Sequence, residues 1–94
     1  MSIREYSIRF DDDLNKGADK FKEIYGKNLT RGGLTYENKI LSIGEINNAA
    51  IILYAGSSVP NLMIIGLEEL TKSIEKEIVS KGIELYKHGK VKIK

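Results

Sequence analysis

The 94-residue chain is 41% hydrophobic and 30% charged, with 15 basic residues against 13 acidic and a net charge of +2. That length suits one domain, residues 1–94, with one core and excludes two; the near-balanced charge excludes a strongly basic nucleic-acid binder on composition alone. The absence of cysteine excludes disulfides, thiolate chemistry and cysteine-based metal sites.

The opening MSIREYSIRF lacks the roughly 7–15-residue apolar stretch of a signal peptide, and no apolar run approaches the ~18 residues that span a bilayer. A soluble, cytoplasmic protein with no membrane partner is expected. The Ile- and Lys-rich composition without Cys, Trp or Gln suits a thermophile. Charge is unevenly spread, since residues 34–66 carry only Glu37, Lys39 and Glu45. The middle therefore reads as core sheet and the flanks as helices.

In chain order, Tyr6, Ile8 and Phe10 alternate with Ser7 and Arg9, the period of a strand with one buried face. Asp11-Asp12-Asp13 supplies acceptors for a helix N-terminus, and Leu14, Ala18, Phe21 and Tyr25 follow at helical spacing, predicting a helix from Asp12 to Tyr25. Gly26 is placed for a left-handed cap, and residues 26–33, GKNLTRGG, read as a loop. Strands are then predicted at Leu34 to Tyr36 and Lys39 to Ile46, joined through Glu37-Asn38. Asn47-Asn48 tolerates the positive φ of a tight hairpin before Ala49 to Tyr54. The breaker Ser57-Ser58-Val59-Pro60 separates that strand from Leu62 to Ile65. From Leu67, apolar residues at Leu70, Ile74, Ile78, Val79, Gly82, Leu85 and Tyr86 predict one long helix to His88. The tail Lys90-Val91-Lys92-Ile93-Lys94 alternates basic and apolar residues, as a short edge strand guarded by lysines would.

No catalytic constellation, metal spacing or nucleotide fingerprint emerges, so a non-enzymatic protein without metal or cofactor is expected. Asp11-Asp12-Asp13 lacks calcium-loop spacing and reads as a cap, and His88, the only histidine, as a cap at the helix C-terminus. The candidate nucleic-acid contacts are Lys27 and Arg31 in the glycine-rich loop and Lys87, Lys90, Lys92 and Lys94, a run without an acid. Tyr36 and Tyr54 are the candidate residues for stacking on bases.

The order strand, helix, four-stranded meander, long helix resembles one repeat of the TATA-box-binding-protein-like fold. The local match is AIILYAG, a turn, LMIIG and then LEELTKSIEKEIVSKGIELYKHG, over residues 49–88. The resemblance implies a dimer forming a saddle, or a substrate- or protein-binding module. It carries over no DNA-wedging phenylalanine, because Phe10 and Phe21 lie in the first strand and first helix.

The expectation is an α+β domain: an antiparallel sheet of about five strands in the order β-α-β-β-β-β-α, with two helices on one face. Ile40, Leu41, Ile43, Ile51, Ile52, Leu53, Ile64 and Ile65 put apolar residues on both sheet faces, so a homo-oligomer or a protein partner should cover the open one. The functional expectation is a dimeric binding module acting through protein contacts, with DNA or RNA backbone as a further partner. The alternative is a pure interaction or inhibitor protein without nucleic-acid affinity.

Overall fold

The computed structural model describes all residues except 37–38 and 57–59 and, for residues 31–36, 39, 40 and 56, the backbone alone. The expected turn at Glu37-Asn38 and the breaker Ser57-Ser58-Val59 lie outside the described residues. The elements are β1 (Ser2–Arg9), α1 (Leu14–Tyr25), a 3-10 turn (Gly26–Asn28), β2 (Leu29–Tyr36), β3 (Lys39–Ile46), β4 (Ala49–Gly56), β5 (Asn61–Gly66), α2 (Glu68–Ser80), β6 (Glu84–Lys87) and β7 (Val91–Lys92). The fold is α+β, with two helices and one antiparallel sheet in the order β2-β3-β4-β5-β1-β6-β7.

Seven strands replace the expected five because the last predicted helix divides. The chain leaves α2 after Ser80, and Gly82 takes φ +90°, a left-handed conformation that glycine adopts without steric cost. Beyond it the pattern changes from helical to alternating: Ile83 and Leu85 are buried, whereas Glu84 and Tyr86 face the other side. His88 is accordingly not a helix cap but part of a hairpin turn, and Val91–Lys92 form the expected edge strand. Two further expectations change near Gly26. It has a right-handed φ of −56° and opens the 3-10 turn, and the predicted loop becomes β2 from Leu29 onward. Pairing with β3, through two register shifts, gives that glycine-rich segment its extended form. The hairpin at Asn47-Asn48 is as expected, with φ of 47° and 70°.

Helix α1 begins where Asp13 Oδ1 accepts hydrogen bonds from the Asn15 and Lys16 amides at 2.9 and 3.1 Å. It lies close on β1: a Cβ at Gly17 would sit 2.5 Å from the Ile8 carbonyl oxygen, so no larger residue fits there without displacing the helix. Helix α2 starts with Glu68 and Glu69, favourable charges at its positive end, and buries Thr71, Ile74 and Ile78.

Both helices cover one sheet face. Tyr6, Ile8, Ile51, Leu53, Leu62, Ile64 and Leu85 point to that side and form one cluster with Ala18, Phe21, Tyr25, Ile74 and Ile78. Full burial of each large aliphatic side chain contributes about 1.5–3 kcal/mol. One polar network lies at this interface. The Tyr6 hydroxyl donates to Glu75 Oε2 at 2.5 Å, and Arg4 Nη1 reaches the same oxygen at 3.3 Å. Burial, then the Glu75 carboxylate, raises the Tyr6 hydroxyl above its ordinary value. Tyr25, stacked on Phe21 with ring centroids 5.0 Å apart, is pushed up to about 12 by burial and then by Glu77.

Candidate functional site

Strand register sorts the residues of the opposite, helix-free face into rows. Glu45, Ala50, Ile65 and Ile3 form one row across β3, β4, β5 and β1. Ile43, Ile52, Met63 and Glu5 form the next, and Leu41, Tyr54, Asn61 and Ser7 the third, which continues through Tyr86 to Lys92. Ile3 is 65% exposed, and Leu41, Ile43, Ile52, Met63 and Ile65 are half-buried. Among the described residues, no element covers this apolar surface spanning four strands.

The predicted basic residues do not form one patch. Lys27 in the 3-10 turn and Arg31 in β2 belong to one edge of the sheet, whereas Lys87, Lys90, Lys92 and Lys94 belong to the other. Six strand spacings of about 4.8 Å put those edges roughly 29 Å apart. The C-terminal lysines also divide among themselves. Lys87 pairs in register with Tyr6, on the helix side. Lys92, on the open side, binds Glu84 Oε2 at 3.0 Å. The Asp12 amide, then Lys92, lowers the Glu84 carboxyl, and the same bond raises Lys92. Lys94 follows Ile93, which packs against the core. Tyr54 stands on the open face with its hydroxyl 4.0 Å from Met63 Sδ; for Tyr36 and Arg31 the backbone alone is described, in β2.

Lys90 lines a cleft of about 660 Å³ that follows the open side of β1 beside the β6–β7 hairpin. Its polar lining consists of Glu5, Ser7, Arg9, Asn61, His88 and Lys90, and Ile3 and Leu14 supply apolar wall. His88 and Gly89, with φ of 54° and 75°, are the central residues of a tight turn within the three-residue loop 88–90, closed by the Lys90 amide on the Lys87 carbonyl at 3.2 Å. Arg9 is held from both sides: its guanidinium carbon lies 4.3 Å from the centre of the Tyr86 ring, and Nη1 is 3.5 Å from Asp12 Oδ1.

Of the cleft's polar lining, charge counting along the sequence identifies Lys90 alone. Ser7 and Arg9 read as ordinary outward positions of a strand, and Asn61 as the polar residue between the breaker and the strand Leu62 to Ile65. Their convergence depends on β5 and β6 flanking β1, which joins residues far apart in the chain. The His88-Gly89 turn did carry a signal, namely two residues able to adopt positive φ between alternating segments.

Among the described residues no helix is long and apolar enough to cross a membrane, and no group of acidic residues and histidine has the arrangement of a metal site. Comparison with known proteins finds no matching family model, no matching curated protein and no matching solved structure.

Proposed function

We propose that the protein is a non-enzymatic binding module that pairs with a second copy through its helix-free sheet face. The observation that carries this reading is the run of Leu41, Ile43, Ile52, Met63 and Ile65 across the three adjacent strands β3, β4 and β5, beside the cleft that Ile3 lines, with no layer over it among the described residues. Self-complementarity supports a second copy: Ala50, Ile52, Tyr54, Met63 and Ile65, central on this face, carry no charge, so the patch can meet its own copy across a two-fold axis. Two such faces packed ~10 Å apart make a sandwich, with Glu5, Glu45 and Arg9 left toward the rim.

Light scattering tests this reading. The expected result is the mass of two chains for the natural protein and of one chain for Ile52→Glu, with unchanged circular dichroism. A single-chain mass for the natural protein at high concentration overturns it. Contact with DNA or RNA backbone is a secondary reading, since the basic groups sit at two distant edges and Lys92 is already paired. Fluorescence anisotropy distinguishes the two. Nucleic-acid contact through the tail predicts binding that weakens steeply with salt and is lost in the triple variant Lys90/Lys92/Lys94→Glu, whereas a pure protein-interaction module binds nothing at low salt.

A further inference from the structure

The cleft beside the β6–β7 hairpin contains donors that the fold leaves unused. Ser7 is 3% exposed, and its hydroxyl has no hydrogen-bond partner among the described residues. Burying an unpaired hydroxyl is unfavourable, and alanine at this outward strand position would avoid that loss. Arg9 Nε, two residues along the same strand face, is a second buried donor without a partner. Stacking on Tyr86 fixes the guanidinium in place, which lowers the entropy lost when it binds a ligand. The hairpin brings His88 and Lys90 to the same cleft, on a turn whose first residue is a non-glycine at positive φ, the kind of local strain that collects at binding sites. Glu5 is the one acid in the lining, so the cationic groups outnumber it.

From this arrangement we propose that the cleft is a site for a small organic oxyanion, a phosphate monoester or a carboxylate. Arg9, Lys90 and the Ser7 hydroxyl hold the anionic end, and the apolar body lies along Ile3 and Leu14. Arginine and lysine make charge-assisted bonds to such oxygens, roughly twice as strong as neutral ones. The volume exceeds a bare ion and falls in the range of small-molecule sites, about 300–1,000 Å³. Glu5 is placed to accept from a hydroxyl or amino group elsewhere on the same molecule.

The test is an NMR titration of the full chain with phenyl phosphate, benzoate and, as a neutral control, phenol. The expected result is saturable shifting of the Ser7, Arg9, Asn61, His88 and Lys90 amides with at least one of the two anions. Preference for phenyl phosphate identifies the phosphate form of the ligand, and preference for benzoate the carboxylate form. Lys90→Gln, at an exposed turn position, should weaken binding about tenfold with unchanged circular dichroism, and Arg9→Gln by at least as much. Absence of saturation with both anions, equal shifts with phenol, or unchanged affinity in Lys90→Gln overturns the site. Repeating the titration on Ile52→Glu separates this outcome from dimerisation, because Ile52 lies on β4, outside the cleft lining.

Discussion

The two faces of the sheet are made from the same strands and nearly the same residue types, yet only one is a protein interior. Along β4, Ile51 and Leu53 are fully buried beneath the helices, while Ile52 between them is half-buried on the face that neither helix covers. Hydrophobicity alone therefore does not distinguish a core position from an interface position in this chain. What distinguishes them is whether an element returns over the strand, and both α1 and α2 return on the same side.

Truncation should expose that difference most sharply. Leu53→Ala leaves a cavity in a core that cannot collapse around it and is expected to cost 2–5 kcal/mol, read as a lower urea midpoint at unchanged slope. Ile52→Ala, measured at a concentration where the chain is monomeric, is expected to cost under about 1 kcal/mol. Equal losses would show that the open face is already covered within one chain. Removing the shared acceptor of the covered face is the intermediate case. Glu75→Ala strands the Tyr6 hydroxyl and leaves Arg4 with the Glu68 carboxylate at 3.8 Å, and should cost about 1–3 kcal/mol in the same denaturation assay.

The smallest effect is a pH dependence specific to the covered face. Tyr25 ionises at 10 when unfolded and at about 12 when folded. A raised value means the folded state favours the neutral phenol, so this contribution is complete below pH 10 and drains away as pH rises from 10 toward 12. Urea midpoints across that window should fall in the natural protein and fall less in Tyr25→Phe. Identical profiles would mean that neither Glu77 nor burial acts on this hydroxyl.

Much of the covered face was legible from residue spacing. The alternation at Tyr6 and Ile8, the cap at Asp13 and the double asparagine turn each depend on neighbours a few residues apart, and each formed as expected. The end of α2 was not legible, because Ile78, Val79, Gly82, Leu85 and Tyr86 fit a helical stripe while Ile83 and Leu85 fit a strand. Only the left-handed φ at Gly82 resolves the two patterns, and a mid-helix glycine looks the same in sequence. The cleft was less legible still. A lone serine in a strand signals nothing until Asn61 and Tyr86 are set on either side of it.

The placement of β1 also governs when the molecule can assemble. This first strand lies between β5 and β6, so Ser2 waits for Gly66, and Tyr6 waits for Leu62 on one side and Lys87 on the other. The β2–β5 meander needs only neighbouring segments and can close early, whereas the β1 ladders require the longest loop closures in the chain. During synthesis, the N-terminal strand is made first and seated last. Until β1 and the two helices have docked, the meander carries both of its apolar faces and an unpaired β5 edge in solvent, making that interval the one in which misassociation of nascent chains is most favoured.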